Sequence, residues 1–280
     1  AAEMSVLDPV ESIAPEDRDL VAQKIKEVMS SGSSSTEAHL YTKDKRKIPV
    51  LLTGSRTEIE GRTYLLGTAI NIARQQQAED DLRQSVSKLR MTLKAAIDSL
   101  ASAIEMRDPY TAGHQERVTR LACAVAAEMG LAGERIEGIQ IAGVIHDIGK
   151  LYVPAEILSK PTKLSDLEYS MIKMHAQVGY TILGKIDFPW PIAQIVHQHH
   201  ECINGSGYPL GLAGKDILLE AKILCVADVV EAMSSHRPYR PALGIQAALE
   251  EISQKRGILY DREVVDACLR LFLDKKFKFE

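Results

Sequence analysis

The chain has 280 residues, of which 45% are apolar, and its 34 Lys and Arg against 38 Asp and Glu give a formal net charge of −4. This composition is typical of an ordinary globular protein and excludes the disordered, fibrous and membrane-spanning classes. Because a weakly acidic chain has no overall positive field, duplex nucleic acid is excluded as a partner. The length predicts about two domains.

Targeting segments and cysteines indicate where the chain works. No apolar run approaches the roughly 20 residues of a membrane span, and no basic-then-apolar leader marks secretion. Four cysteines are widely separated and form no CxxC pair, which predicts reduced thiols: Cys123, Cys202, Cys225 and Cys268. We therefore expect a cytoplasmic protein. A longer form of it could carry sensor or membrane regions upstream of this sequence.

Residues 1–72 are predicted to form a small α/β domain. Pro15 followed by two acidic residues favours the first turn of a helix, which the serine-rich run 31–35 ends. The apolar period then drops to two, which predicts strands near 37–42, 47–54 and 62–72. One helix followed by three antiparallel strands resembles the C-terminal half of a PAS sensor domain. The part of that domain present here gives no reason to expect a bound ligand.

Residues 73–107 contain no Gly or Pro and are predicted to form one long helix. Six of its apolar residues repeat at alternating spacings of four and three, as in a coiled coil: Leu82, Val86, Leu89, Leu93, Ala96 and Leu100. We expect residues 73–100 to be a connecting helix that pairs two copies into a parallel homodimer. The alternative is a helix that lies on its own domain.

The remainder, residues 97–280, is predicted to be an all-α bundle. Segments of helical period follow one another without a convincing strand, and Ser165 with Glu168 forms the sequence pattern of a capping box. Further helices are expected at 217–235, 244–256 and 261–273. The expected fold class is α+β overall, with a small α/β fragment, a helical linker and a C-terminal helical bundle.

Histidines are concentrated within this bundle. Six of the eight lie between residues 114 and 200: His114, His146, His175, His197, His199 and His200. His146 and Asp147 follow an apolar run, so an ionised carboxylate is placed at the end of a buried helix, where it needs a partner. A bound cation is a partner that also accounts for the neighbouring imidazoles and for Asp228, which lies among apolar residues.

The donor set indicates the kind of ion. Imidazole nitrogens and carboxylate oxygens without a thiolate favour iron, manganese or a similar six-coordinate ion over a structural zinc. Five imidazoles and two carboxylates are too many ligands for one ion. Two ions bridged by a carboxylate and a hydroxide accommodate them, and that arrangement activates water for attack on a phosphoryl group.

The order and spacing of these residues resemble the HD-GYP family, the cyclic dinucleotide phosphodiesterase branch of the HD metal-hydrolase superfamily. The resemblance covers about 97–273. It is carried by His114, His146-Asp147-Ile148-Gly149-Lys150, His175, His199-His200-Glu201, Gly205-Ser206-Gly207-Tyr208-Pro209 and Asp228.

This resemblance implies a set of metal ligands. Asp147 would bridge two divalent ions, and the remaining ligands would be His114, His146, His175, His199, His200 and Asp228. His114 and His175 would complete the shell of one ion. Some members hold a third ion with a Glu where this chain has Tyr110, so two ions are expected here. His197 matches no ligand position and is interpreted as structural.

The resemblance also implies substrate contacts. Asp147 and Lys150 would be the catalytic residues, with Lys150 holding a non-bridging phosphate oxygen. Arg237 and Arg240 match a basic pair that binds phosphate. Tyr208 would line the substrate mouth, in a turn whose glycines supply positive φ angles. Asn204 stands where the family commonly has Asp, which preserves hydrogen bonding.

The implied reaction is the metal-dependent hydrolysis of cyclic di-GMP by a metal-bridged hydroxide. The product is linear pGpG, with GMP as a further product. Two alternatives remain open: a phosphodiesterase for 3′,3′-cGAMP, and a non-catalytic receptor for a cyclic dinucleotide. The family resemblance also suggests a diguanylate cyclase as a protein partner that binds through the Gly-Tyr-Pro turn.

Overall fold

The computed structural model describes residues 10–42, 44, 46–107, 113–236 and 242–279. They form two compact units that meet in sequence between Met91 and Thr92. A helical bundle and a three-stranded antiparallel sheet are both present, which confirms the α+β class. The predicted domain limits at 1–72, 73–100 and 97–280 stay predictions.

The first unit contains one helix and the sheet. A 3-10 turn at Pro15–Asp17 leads into α1, Arg18–Ser31. The strands are β1, Ser33–Tyr41, β2, Lys47–Ile59, and β3, Arg62–Asn71, in the order β1-β2-β3 with antiparallel pairing. Ile13, Val21 and Ala38 form its small apolar core.

The first strand begins earlier than predicted. Gly32 has a φ of 96°, so the helix ends within a single residue, and Ser33 already pairs with Ser55 of β2. The serine-rich run ends the helix, as predicted, and its later residues already begin the strand. By contrast, within the described residues β3 pairs with β2 alone, and all ten of its residues are exposed, including Tyr64, Leu66 and Ile70.

The predicted long helix is α2, Ala73–Glu105. Its apolar seam is exposed along its length, since Leu82 is 64%, Leu89 is 70% and Leu100 is 50% exposed. Off the seam, Ile97, Ala101 and Ile104 of the last turns are buried. Ile97 and Ile104 belong to the core of the second unit, while within the described residues nothing buries the seam. The paired helix and the helix that lies on its own domain both stay predictions.

The second unit is helical, as expected. Its α-helices are α3, His114–Glu128; α4, Gly133–Ile145; α5, Ala155–Leu158; α6, Asp166–Leu183; α7, Ile192–Gln198; α8, Leu219–Ser234; α9, Ile245–Gln254; and α10, Arg262–Leu273. A 3-10 helix covers Ile148–Tyr152. The predicted capping box is present, because Ser165 Oγ accepts from the Glu168 amide and the Glu168 carboxylate accepts from the Ser165 amide.

Helix packing places the polar ends of several helices together. The α3 helix packs against α4 and α8, and α6 packs against α7 and the 3-10 helix. Fully buried aliphatic side chains fill the space between them, among them Leu121, Ile139, Ile195, Ile223 and Leu224. None of the helices within the described residues is both long and apolar enough to cross a membrane.

Candidate metal centre

Three imidazoles of the second unit are oriented by the backbone of their own segment. Each Nδ1 lies within hydrogen-bonding distance of the carbonyl oxygen three residues earlier: 2.6 Å for His146 and Gly143, 2.7 Å for His175 and Ile172, and 2.6 Å for His199 and Val196. Because a carbonyl only accepts, Nδ1 carries the proton and Nε2 keeps its lone pair. His146 and His199 cap the C-termini of α4 and α7, where carbonyls lack helical partners.

The Nε2 atom of His146 tests whether a cation fits. His146 is 1% exposed, and among the described residues its Nε2 has no hydrogen-bond partner. A buried acceptor without a partner costs free energy, which a coordinated ion removes. The donors around it are imidazole nitrogens and carboxylate oxygens, and these are ordinary ligands of divalent metal ions.

The candidate ligand atoms form two groups that a third set overlaps. Within each set the atoms lie within 4.8 Å of one another: His114, His146 and Asp228 in the first group, His175, His199 and His200 in the second, and His146, Asp147 and His199 in the set that joins them. Asp147 faces both groups. Its Oδ2 is 3.6 Å from Nε2 of His146 and 3.9 Å from Nε2 of His114, while its Oδ1 is 3.6 Å from Nε2 of His175.

The expected partition of ligands stays a prediction. His114 and His175 were expected to complete the shell of one ion, and the structure places their ligand atoms in different groups. The reason is the helix packing: α3 lies against α8, so Nε2 of His114 is 3.2 Å from Oδ1 of Asp228. His175 on α6 instead meets His199, with 3.4 Å between the two Nε2 atoms.

Electrostatics favour neutral imidazoles at His175, His199 and His200, beside an ionised carboxylate. For His114, burial lowers the pKa, but hydrogen bonds with Asp228 and Glu231 raise it above its usual value. Burial raises the pKa of Asp147, but the positive charge of Lys150 and the neighbouring imidazoles hold it well below its usual range. Burial lowers the pKa of His175, and burial together with neighbouring imidazoles lowers the pKa of His199 strongly and that of His200 to about 3. A neutral imidazole is the form that binds metal, so these residues are ready to coordinate at neutral pH.

The HD domain family matches residues 82–264, which include every candidate ligand described above. The chain belongs to the HD domain family. The pair that gives the family its name is His146-Asp147, which joins the two ligand groups.

Named relatives share this HD domain. The chain is 40% identical over 194 residues to the cyclic di-GMP phosphodiesterase response regulator RpfG of Xanthomonas campestris pv. campestris, over 69% of this chain and 51% of that protein. It is 34% identical over 171 residues to 3′3′-cGAMP-specific phosphodiesterase 3 of Vibrio cholerae, over 61% of this chain and 37% of that protein. The chain thus spans about half or less of these curated relatives.

A solved structure shares the fold. The crystal structure of a cyclic GMP-AMP-specific phosphodiesterase from V. cholerae matches with a TM-score of 0.51 and 18% sequence identity. The match covers 65% of this chain and 49% of that one.

Glu231 is a buried carboxylate of the HD domain that sequence reasoning missed. It is 1% exposed, and its Oε2 accepts a short hydrogen bond from Nδ1 of His114. Its Oε1 accepts from Nε of Arg117 and from Oγ of Ser235, both at 2.7 Å. Burial raises the pKa of Glu231, but hydrogen bonds from His114, Ser235 and Arg117 lower it to about 2. Its position three residues after Asp228, on the same helix face, is the signal that could have found it.

Glu201, directly after the histidine pair, anchors the Gly-Tyr-Pro segment. Its buried carboxylate accepts three backbone N–H groups, from Leu210 at 2.7 Å, Gly211 at 3.1 Å and Leu212 at 3.0 Å. Glu201 is part of the His199-His200-Glu201 motif, but the sequence predicted no role for it. It holds the loop after Tyr208 against the end of α7.

The glycines of this segment serve two purposes, of which sequence reasoning predicted one. Gly205 has a φ of 81°, as expected. Gly207 is not among the residues of positive φ, and it is needed because a Cβ there would lie 2.4 Å from the Cys202 amide nitrogen. The close approach of two backbone segments thus explains the second glycine.

The 3-10 helix after Asp147 is packed tightly onto α6. A Cβ on Gly149 would lie 1.9 Å from the carbonyl oxygen of His175, so only glycine allows this contact. The packing brings Lys150 to the centre, where its Nζ donates to Oδ2 of Asp147 at 2.7 Å. The predicted contact of Lys150 with a phosphate oxygen stays a prediction.

Other residues predicted to belong to the site lie at the edge of the metal centre or are not among the described residues. The ring of Tyr208 stacks on that of His200, with 4.7 Å between centroids, so it borders one ligand group. His197 is away from both groups, and its Nε2 is 2.9 Å from Oε1 of Gln177, in keeping with a structural role. The predicted phosphate-binding pair and the position compared with a third ligand lie outside the described residues: Arg237, Arg240 and Tyr110.

Proposed function

We propose that this chain is a metal-dependent phosphodiesterase that hydrolyses cyclic di-GMP to linear pGpG and further to GMP. The observation that carries the proposal is Asp147, whose two oxygens face two groups of ligands, one with His146 and Asp228 and the other with His175. One carboxylate between two ligand groups fits a pair of divalent ions. The relative from Xanthomonas campestris, which is named a cyclic di-GMP phosphodiesterase, supports the choice of substrate.

The residues fit iron or manganese best, because the donor set mixes imidazole and carboxylate without thiolate. His114, His146 and Asp228 would hold one ion and His175, His199 and His200 the other, with Asp147 shared. When bound, such a pair neutralises phosphate charge and lowers the pKa of water to near neutrality.

The chain's own residues would bind and orient the substrate. Hydrolysis forms a bond between a water oxygen and phosphorus and breaks the bond to the ribose 3′ oxygen, which leaves with a proton and opens the ring. Lys150, beside Asp147, would attract a non-bridging phosphate oxygen. Arg237 and Arg240 would add further positive charge, and Tyr208 would border the entrance beside His200.

A second substrate has independent support. A relative from V. cholerae is named a 3′3′-cGAMP-specific phosphodiesterase, and the two candidate substrates differ in a base rather than in the phosphodiester. The metal centre acts on the phosphodiester, so it does not choose between them. A non-catalytic receptor is the third reading, and the full set of ligands weighs against it.

One chromatographic experiment separates these functions. Protein loaded with Fe²⁺ or Mn²⁺ without oxygen is incubated with cyclic di-GMP or with 3′,3′-cGAMP, and products are separated by length. We expect linear product from cyclic di-GMP, none with His146→Ala, and unchanged product with His39→Ala, which alters an exposed histidine of the first unit. Faster hydrolysis of cGAMP would reassign the substrate, and binding of either nucleotide without product would indicate a receptor.

We further propose that the exposed seam of α2 pairs two chains in a parallel homodimer. Six apolar residues at coiled-coil spacing, with Leu82 and Leu89 well exposed, support this arrangement.

The four unpaired cysteines support a cytoplasmic location. A diguanylate cyclase would be a partner for the segment around Tyr208.

A further inference from the structure

Lys173 on α6 has an unusual environment. Its ammonium lies 4.7 Å from the ring centroid of Tyr169 and 5.3 Å from that of Tyr208. Within the described residues, no carboxylate lies within ion-pairing distance of it. Aromatic rings attract a cation through their faces but do not neutralise its charge. The ammonium is therefore held in place while its charge remains available.

The position of this ammonium connects it to the metal centre. Tyr208 stacks on His200 and lies 6.5 Å, between ring centroids, from His175, so the Tyr208 ring separates Lys173 from one ligand group by a single side chain. On the other side, Tyr169 is 48% exposed. The three side chains Tyr169, Lys173 and Tyr208 thus form a row from solvent to the metal ligands, which we call the lysine–tyrosine row.

A cyclic dinucleotide has two phosphodiesters, and only one of them can occupy the metal centre. The other keeps its negative charge and lies beside the centre because the ring is closed. Lysine binds phosphate as a point charge, and an ammonium with no carboxylate partner has no competitor to displace.

Building on the proposed function, we propose that Lys173 binds the phosphodiester that is not being hydrolysed and that Tyr169 and Tyr208 fix its ammonium for this contact. The lysine–tyrosine row would then recognise a substrate with two linked phosphates. It would contribute nothing to a substrate that has only one.

Two substrates test this assignment. Lys173→Met keeps the length of the side chain and removes the charge, so we expect the KM for cyclic di-GMP to rise about 10-fold or more, as for a lost hydrogen bond to a charged group. For bis(p-nitrophenyl) phosphate, which has one phosphodiester, we expect kcat/KM to stay unchanged. Lys173→Arg restores most of the affinity, and Lys185→Met, beyond the end of the same helix, changes neither substrate.

The outcomes that overturn the proposal are distinct from failure of the proposed function. An equal loss on both substrates, or a loss of bound metal, would mean that Lys173 only supports the centre through Tyr208. An unchanged KM for cyclic di-GMP would remove its role in binding.

If wild-type protein hydrolyses no cyclic dinucleotide, the proposed function fails, and calorimetric titration with cyclic di-GMP then tests the lysine alone. Binding that is about 10-fold weaker in Lys173→Met supports the contact, by the same charge argument. Equal binding by both proteins, or no binding by either, overturns it.

Discussion

The residues around Asp147 and those of the α2 seam depart from the usual distribution of buried and exposed side chains in opposite directions. The metal centre buries histidines and carboxylates that would ordinarily be hydrated. The α2 seam exposes leucines that would ordinarily be buried, and Leu89 is 70% exposed. A buried polar group needs a ligand and an exposed apolar row needs a surface, so each departure indicates what the region binds.

The strongest test of the buried side is Asp147→Asn. It removes a charge that both ligand groups face, so we expect the loss of bound metal and a fall in turnover of more than about 100-fold. This exceeds the effect of changing a residue that only hydrogen-bonds to a metal ligand. Elemental analysis and product chromatography measure the two effects. Asp187→Asn, an exposed control, changes neither. Normal metal content in Asp147→Asn would refute the shared-carboxylate interpretation.

The next effect concerns the carboxylate behind His114. Glu231→Gln removes the negative charge of the group that accepts the His114 Nδ1 proton. We expect metal affinity to fall about 10- to 100-fold. Equilibrium dialysis with Mn²⁺ measures the affinity without turnover. Glu220→Gln is a matched control, because Glu220 lies on the same helix and pairs with Arg135 at the surface. Equal affinity in both variants would show that Glu231 is merely structural.

The exposed side is tested by Leu89→Glu. A charge at the centre of the seam opposes its burial between two helices, so we expect light scattering to change from the mass of a dimer to that of one chain. Ser87→Glu lies off the seam and leaves the dimer intact. Metal content stays the same in both variants, which keeps the two regions separable. A monomeric wild-type chain would contradict the dimer.

The smallest expected effect is a loss of folding stability in the second unit that does not involve the metal centre. Ser165→Ala removes the N-cap of α6 and is expected to cost about 1 kcal/mol, seen as a lower melting temperature without loss of metal. Ser170→Ala, inside the same helix, is the control. Loss of metal in Ser165→Ala would show that the centre depends on ordinary helix stability rather than on its own contacts.

The same cap predicts a dependence on pH. Hydrogen bonds from Lys160 and Ser165 lower the pKa of Glu168 to about 2. A carboxyl whose pKa is lower in the folded state stabilises that state above its unfolded value of about 4.3, and this stabilisation is lost as the pH falls towards 2. Glu168→Gln is therefore expected to destabilise at neutral pH and to match the wild type near pH 2 in thermal melts.

The candidate ligands stand out in the sequence because each is a polar residue within or directly after an apolar helical segment. His146 and Asp147 were identifiable from the run before them. The grouping was not, since the proximity of His114 to Asp228 depends on how α3 crosses α8 rather than on spacing along the chain.

The roles of Glu231 and Gly207 were missed for a related reason. A glutamate near the end of a helix usually faces water. The spacing from Asp228 is a local signal for Glu231, but its contacts with Arg117 and His114 depend on how the helices pack. Gly207 was explained by turn conformation, whereas the close approach of the backbone of residues 200–202 determines it. Sequence periodicity gave the helices because that signal is local.

The backbone carbonyls behind His146, His175 and His199 have a practical consequence. These rings are already fixed by hydrogen bonds within the protein, so the entropy of orienting them is lost on folding rather than on coordination. An emptied protein is therefore expected to keep its shape and to accept different ions in turn. The native metal can then be sought by reloading one preparation with each candidate, instead of comparing separate purifications.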